Sequence, residues 1–282
     1  MGGAIAFSGK AIIVKLAYRH DVDAVTLIML RMLFALPLFL LLAWWAGRGR
    51  PGLSARDWRA VVALGFSGYY LASFLDFVGL QYVSASLERL ILYLSPTMVL
   101  LLGRVLLKRR VGRRQLVALG VSYAGVLLVF GQELKIEGRD VALGSALVFA
   151  STLSYALYLL YSGEVVQRLG ALRLTGLATS VACVLCIAQF LLLRPLGSAW
   201  QVATPVLWLS LLNATACTFA PVLMVMMAIE RVGAAVASQA GMIGPLSTII
   251  MSVLILDEPF TAWIAAGTLL VMGGVWLLTR WR

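Results

Sequence analysis

Two stretches decide the fold of this chain: residues 79–96, GLQYVSASLERLILYLSP, and residues 232–245, VGAAVASQAGMIGP. When the valine of YVSAS is aligned with the valine that opens VGAAV, Pro96 meets Pro245 at the same offset. Few positions are identical, so the similarity lies in the register of the small residues and the proline. We interpret the two stretches as equivalent parts of an internal repeat.

The same register continues beyond the prolines, where residues 123–126, YAGV, meet residues 272–275, MGGV. The alternative is a chance agreement between two regions rich in Leu, Ala and Gly. The small residues, the proline and the closing Gly-Val all hold their places, which favours the repeat. The pattern predicts two related units, 1–131 and 141–282.

The composition places both units in a membrane. Of the 282 residues, 62% are hydrophobic and 12% are charged, and the mean hydropathy is +0.97. Soluble domains average about 45–50% apolar and about 25% charged residues. A water-soluble fold of this length could not bury so much apolar surface. The apolar runs are continuous rather than alternating with period two, which indicates helices and not a barrel.

The apolar runs are long enough to cross a bilayer as helices, which takes about 17–25 residues each. We predict an all-α polytopic membrane protein of about ten transmembrane helices. The predicted spans are 2–18, 24–46, 60–80, 83–104, 114–131, 141–162, 173–194, 206–228, 232–256 and 262–280. The first run contains Lys10 and Lys15 and has no basic leader, so we interpret it as a span and not as a signal peptide.

The predicted repeat has five spans, an odd number, so the second unit must enter the membrane upside down. Inverted repeats occur in secondary transporters, which bind substrate near the midplane between the repeats. Pro96 and Pro245 fall within spans, where proline removes a backbone hydrogen bond and bends the helix. With Gly241 and Gly244, which allow close helix approach, they are candidate hinges for alternating access. Static kinks are the alternative.

Basic residues predict the orientation in the membrane. The net charge is +11, and about fifteen Lys and Arg residues fall on one side of the spans against about four on the other. This excess predicts that both termini are cytoplasmic. Because these charges lie in short gaps between apolar runs, we interpret them as topology signals facing anionic lipid and not as a nucleic-acid site.

The sequence contains no motif for catalysis or for a cofactor. Cys183 and Cys186 form a CxxC inside an apolar segment, but His20 is the only histidine and no second ligand cluster exists. Walker loops, HExxH and nucleophile elbows are absent. We expect no enzyme activity, metal, cofactor or ATP-driven transport from this chain alone. We expect a carrier of small molecules that works as a monomer among membrane lipids.

Through residues 79–96 and 232–245 the chain resembles the drug/metabolite transporter superfamily, specifically its EamA-type ten-helix exporters, over essentially its whole length. The resemblance implies ten helices with both termini inside, and export of amino acids or similar small metabolites. The chain looks similar to the aromatic amino acid exporters of bacterial inner membranes.

The second unit continues to Leu256-Asp257-Glu258-Pro259, which resembles the Glu-containing loop that closes the repeat in this family. The first unit departs from the pattern, with Lys108-Arg109-Arg110 in that place. We therefore expect Glu258 to be structural, as a cap of the tenth span.

Ionisable groups within spans are the first candidates for a substrate site, because each costs roughly 2.5–3.5 kcal/mol to insert. They are Lys10, Lys15, Arg31, Asp76, Glu88 and Arg89. Lys10 lies near mid-span and either holds a substrate carboxylate or neutralises Asp76 or Glu88. Arg31 is expected to pair with a carboxylate. Glu88 and Arg89 form either part of the site or a salt-bridge network near the outer surface.

Polar side chains at helical spacing suggest cavity walls, with helix–helix hydrogen bonding as the alternative. The stripes are Tyr69, Ser73 and Asp76; Ser84, Glu88 and Ser95; and Ser151, Tyr155, Tyr158 and Ser162. Candidates for an aromatic lining are Phe7, Tyr70, Phe74, Tyr82 and Tyr93. The predicted substrate-binding residues are Lys10, Tyr69, Ser73, Asp76, Tyr82, Glu88, Tyr155 and Tyr158.

The sequence thus predicts a secondary transporter that exports amino acids, including aromatic or hydrophobic ones, or related small metabolites. The alternative is a multidrug or cationic-compound exporter of the same fold. Exporters of cations typically need an acidic residue in an early span, and the first span has none. A membrane enzyme is a third interpretation, which the missing acid–base and metal motifs disfavour.

Overall fold

The computed structural model describes residues 2–108, 111–225 and 243–280, and these contain helices and turns but no β-strand. The first unit contains α1 Gly2–Tyr18, α2 Ala24–Gly47, α3 Ala55–Gly65, α4 Ala72–Gly79, α5 Ala85–Leu92, α6 Ser95–Leu107 and α7 Arg113–Glu137. The second contains α8 Arg139–Leu169, α9 Ala171–Leu193, the short α10 Gly197–Trp200, α11 Thr204–Ala214, α12 Ile243–Leu256 and α13 Ala262–Arg280.

Within the described residues, 8 helical segments are long and apolar enough to cross a membrane. They are Ala24–Gly47, Ala55–Gly79, Ala85–Leu107, Arg113–Lys135, Arg139–Leu169, Ala171–Leu193, Thr204–Val225 and Ala262–Arg280. The other two predicted spans are 2–18, which corresponds to α1, a helix of 17 residues, and 232–256, which is described only from Ile243 onward, as α12. The protein is therefore a multi-pass helical membrane protein, and the count of ten spans stays a prediction.

The boundary between the two units is shorter than predicted. The polar stretch 132–140, expected to be a gap, is helical except at Gly138, whose φ of +78° turns the chain directly from α7 into α8. Glycine adopts this left-handed region without a steric penalty. The two long helices are therefore joined by a single residue.

The predicted span around Pro96 is two helices rather than one bent helix. α5 ends at Leu92 and α6 begins at Ser95, with Pro96 in the first turn of α6. At that position the missing N–H of proline costs no helical hydrogen bond. The expectation that Pro96 bends a helix from its interior is therefore wrong. Pro245 is the third residue of the described α12, and Gly241 lies outside the described residues.

Two π-helical segments interrupt the predicted third and eighth spans. Phe66–Leu71 joins α3 to α4, and Thr215–Phe219 follows α11. Phe66 and Thr215 are separated by the same number of positions as Pro96 and Pro245. The two segments are thus equivalent in the repeat register. Such π-helical bulges are rare in proteins overall, and those that occur often lie at functional sites.

Helices at equivalent positions of the two units make equivalent contacts. α1 packs against α11 and α12, and its counterpart α8 packs against their counterparts α3 and α6. α2 packs along its own counterpart α9, and α7 along α13. Glycine permits the close approach of α7 and α13, since a Cβ on Gly267 would lie 2.7 Å from the carbonyl oxygen of Gly125.

We expect Gly267→Ala to lower the free energy of unfolding by about 1–3 kcal/mol, because the added methyl group would overlap the Gly125 carbonyl and overpack the interface. Gly273→Ala on the same helix is the matched control, since a Cβ there meets nothing within 4 Å. Thermal unfolding of the two purified variants in detergent measures the difference. Equal stability of both would contradict the close packing of α7 on α13.

Candidate functional site

A cavity of about 390 Å³ lies between the two units and forms the candidate site. Helices α1, α2, α4, α5 and α6 contribute to its wall from the first unit, and α8, α9 and α12 from the second. Both π-helical segments reach it, through Gly68 and Tyr69 in one unit and Thr218 in the other. The hydroxyl-bearing side chains on its wall, apart from tyrosines, are Ser8, Ser73, Ser95, Ser151, Thr179 and Thr218.

A buried ion cluster lies against this cavity and joins α1 to α4 and α5. The Nζ of Lys10 lies 2.5 Å from Oδ2 of Asp76 and 3.8 Å from Oε1 of Glu88. The three residues are 8%, 1% and 0% exposed, respectively. Two carboxylates thus share one ammonium group. Of the two roles left open for Lys10, the geometry favours neutralising Asp76 and Glu88 over holding a substrate carboxylate.

The two carboxyl groups of the cluster differ in their access to the cavity. Oδ1 of Asp76 and both carboxyl oxygens of Glu88 are buried and accept no hydrogen bond from an N–H or O–H donor of the other described residues, and the carboxyl groups of Asp76 and Glu88 lie within hydrogen-bonding reach of each other. Asp76 lines the cavity, whereas Glu88 lies behind the wall. Asp76 is therefore the carboxylate of this cluster that reaches the cavity wall, and its Oδ2 is paired with Lys10.

Two buried arginines also line the cavity, and neither pairs with a carboxylate of the described residues within 4 Å. Arg31 donates from Nη2 to the hydroxyl of Ser73 at 3.2 Å. Arg89 donates from Nη2 to the carbonyl of Phe7 at 3.3 Å. The expected pairing of Arg31 with a carboxylate is therefore wrong. Of the two roles left open for Glu88 and Arg89, Glu88 belongs to the buried ion cluster with Lys10 and Asp76, whereas Arg89 lines the cavity and donates to the backbone of α1.

Three tyrosines form one side of the site. The hydroxyls of Tyr69 and Tyr158 are 3.1 Å apart, with ring centroids 5.1 Å apart, and the ring of Tyr155 stacks on that of Tyr158 at 5.6 Å. Tyr69 and Tyr155 line the cavity, and Tyr158 supports them from behind. Gly68 leaves room for the ring of Tyr158, since a side chain at position 68 would collide with that ring.

A second space of about 460 Å³, which we call the vestibule, lies at the other end of α1. Its wall includes Lys15, Tyr18 and Glu258, and it shares no described lining residue with the cavity. Between the two spaces, residues 11–14 of α1 are buried. The hydroxyl of Tyr18 donates to the carbonyl of Phe77 at 2.6 Å and ties α1 to α4 at this level.

Glu258 does not cap the tenth span as expected; it caps α5 of the first unit. Its Oε1 accepts from the N–H of Ala85 at 2.8 Å, and its Oε2 accepts from the hydroxyl of Ser86 at 3.0 Å. The last span is capped by Thr261, whose hydroxyl oxygen accepts from Ile264 N–H. A carboxylate at a helix N-terminus is favoured by the helix dipole. A loop of the second unit thus holds a helix of the first.

The model of the EamA-like transporter family matches residues 1–131 and 142–280. The chain belongs to the EamA-like transporter family. YcbK of Bacillus subtilis, an uncharacterized transporter, is 29% identical over 271 residues, which cover 91% of this chain and 83% of YcbK. An uncharacterized transporter of Archaeoglobus fulgidus is 24% identical, over 98% of this chain and 94% of its own length.

A solved crystal structure has the same fold, with a TM-score of 0.66 at 16% sequence identity, over 99% of this chain and 94% of that chain. The comparisons therefore establish a membrane transporter and its family. The names of these relatives specify no substrate, so the substrate has to be inferred from the site.

In this EamA-like transporter most of the predicted substrate-binding residues meet at the cavity. Those on its wall are Lys10, Tyr69, Ser73, Asp76 and Tyr155, together with the predicted hinge residues Gly244 and Pro245. Glu88 and Tyr158 lie directly behind the wall. Tyr82 does not line the cavity, because it lies in the turn between α4 and α5 and packs close to Gly144 of α8. Helical spacing does not apply in that turn.

Other predicted stripe residues have structural roles. Ser84 is the N-cap of α5 and donates to Glu133, and Ser162 donates within its own helix to Leu159. The sequence does not single out Thr179 and Thr218, because an isolated threonine in an apolar run carries no periodic signal. Arg31 and Arg89 carried a signal as ionisable residues within spans, but nothing in the sequence showed that they share a cavity.

We expect Lys10→Met to lower the free energy of unfolding by about 3–5 kcal/mol, since it leaves two buried carboxylates without their cation. The double variant Lys10→Met/Asp76→Asn should recover part of this loss. Lys135→Met, at an exposed position of α7, is the control and should be near neutral. Thermal unfolding in detergent gives the three values. No recovery in the double variant would show that the Lys10–Asp76 pair is not the source of the loss.

Proposed function

We propose that this protein is a secondary transporter that exports amino acids, including aromatic or hydrophobic ones, or related small metabolites, across the bacterial inner membrane by alternating access. The observation that carries the proposal is the cavity between the two units, which combines tyrosine rings, hydroxyls and charges of both signs. An amino acid presents matching groups: an apolar or aromatic side chain, an ammonium and a carboxylate.

The dimensions and chemistry of the cavity support a small ligand. Its volume of about 390 Å³ falls in the range of about 300–1,000 Å³ that is usual for such sites. Tyr69 and Tyr155 offer aromatic faces to a side chain, and the Asp76 carboxylate on the cavity wall offers a negative charge to an ammonium group. All these groups come from one chain, which supports a carrier that works as a monomer.

The repeat register supports two inverted units. The equivalent π-helical segments and the equivalent contacts of α1 and α8 are what a two-fold relation between the units produces. With about five spans in each unit, that axis lies in the membrane plane, as in other secondary transporters. The two units can then exchange conformations.

The cavity and the vestibule support alternating access. The cavity reaches the N-terminal end of α1 at Gly3, and the vestibule lies at its C-terminal end at Tyr18. With a cytoplasmic N-terminus, substrate enters the cavity from inside the cell and leaves through the vestibule. The helix start at Pro96 and the Gly244-Pro245 pair beside the cavity are the proposed hinges; Gly241 belongs to the same proposal.

The proposed transport is tested with purified protein in liposomes, by counterflow of a panel of radiolabelled amino acids with and without a proton gradient. We expect saturable flux of aromatic or hydrophobic members. Tyr155→Leu should lower that flux several-fold because it removes an aromatic wall. Tyr161→Leu, an exposed position on the same helix, is the matched control. Flux of tetraphenylphosphonium without flux of any amino acid would instead establish the cationic-compound exporter.

The proposed direction of transport depends on the orientation of the chain. A green fluorescent protein fused to the C-terminus should fluoresce, and alkaline phosphatase at the same site should be inactive, because basic gaps keep both termini in the cytoplasm. A fusion to alkaline phosphatase at Gly49, in the basic gap after α2, should also be inactive. An active phosphatase at either site would place the cavity entrance outside and contradict export.

A further inference from the structure

The cavity contains more positive than negative charge. Among the described residues that line it or lie directly behind its wall, Lys10, Arg31 and Arg89 face only Asp76 and Glu88. Lys10 is already shared by both carboxylates. The remaining positive charge therefore belongs to the arginines.

Arg31 is held in place but not neutralised. Its side chain is 4% exposed, donates from Nη2 to the Ser73 hydroxyl and lies 4.8 Å over the ring of Phe77. Its Nε is buried without a hydrogen-bond partner. Ser73 is one helical turn from Asp76, so this guanidinium lies beside the Lys10–Asp76 pair.

Arg89 is held in the same way. It is 6% exposed, donates from Nη2 to the carbonyl oxygens of Phe7 and Ser8, and has an unpaired buried Nε. Phe7 is one helical turn from Lys10, so this guanidinium also lies near the Lys10–Asp76 pair. Each guanidinium has five N–H donors, and only a few of them are used.

A buried cation without an anion is costly, and residues of this kind within a membrane usually mark a substrate pathway. Guanidinium groups match the geometry of a carboxylate, which accepts two parallel hydrogen bonds from one arginine. A lysine ammonium that is already paired with two carboxylates has no such pair of parallel N–H donors.

We infer that Arg31 and Arg89 form the carboxylate-binding site of this transporter, and that Lys10 only balances Asp76 and Glu88. The ligand class is a small monocarboxylate with an apolar or aromatic body. For the transport step the inference rests on the proposed function, which it deepens by assigning the group that recognises the substrate.

The first test needs no variant. Equilibrium dialysis of the purified full-length protein compares 3-phenylpropionate with phenethylamine, which have the same ring and ethyl chain but opposite charge. The carboxylate should bind saturably and at least about tenfold more tightly than the amine, since the surplus charge in the cavity is positive. Equal affinities, or no saturable binding of 3-phenylpropionate, would overturn the inference.

The second test assigns the residues. Arg31→Gln and Arg89→Gln should each weaken binding of 3-phenylpropionate by at least about tenfold, and the lysine variants at both positions by less. Arg48→Gln is the matched control, because that guanidinium stacks on Trp44 on the exposed surface at 3.7 Å, away from the cavity. Gel filtration identifies folded variants. Wild-type affinity in either folded glutamine variant, or equal weakening in Arg48→Gln, would refute the assignment.

Different results would contradict the transport proposal and the carboxylate-site inference. Arginine-dependent binding of 3-phenylpropionate without flux of any panel compound would leave the carboxylate site standing and overturn the transport proposal. Flux of amino acids that does not change in folded Arg31→Gln and Arg89→Gln would leave transport standing and overturn the carboxylate site.

Discussion

The structure depends on one ionic interaction, the contact of Lys10 with Asp76 at 2.5 Å and with Glu88 at 3.8 Å. Three helices of the first unit, α1, α4 and α5, meet at this cluster. Because a charge in the bilayer interior is costly when unpaired, the cluster fixes how these helices approach each other. It also fixes the position of the cavity, since the buried turn of α1 that follows Lys10 separates the cavity from the vestibule.

The two units have different parts in the site although they share a pattern. Among the described residues at the cavity, the charged ones belong to the first unit, and the second unit contributes a tyrosine, hydroxyls and apolar groups. In the other direction, Glu258 of the second unit caps α5, the helix that carries Glu88 and Arg89. A conformational exchange between the units would therefore keep the charged residues of the first unit together. It would move the uncharged cavity residues of the second unit, and Glu258, relative to them.

The membrane class and most of the site could be predicted from the sequence, because both follow from the free-energy cost of placing single residues in a bilayer. An ionisable residue such as Asp76 inside an apolar run requires a partner, and a tyrosine stripe at helical spacing lies on one face. Tyr82 could not be placed in this way, since it lies in a turn where that spacing does not hold. The partner of Glu258 could not be found either, because the backbone groups it binds lie in the other unit and carry no sequence signal.

The central claim is that Lys10 is internally neutralised and that the arginines hold the carboxylate. An electron cryo-microscopy structure of the protein with L-phenylalanine tests it most directly. The account predicts density in the cavity with the carboxylate at Arg31 and Arg89, the ammonium near Asp76, and the ring against Tyr69 and Tyr155. A carboxylate bound to Lys10 with the Asp76 pair broken, or a ligand seated only in the vestibule, would contradict it.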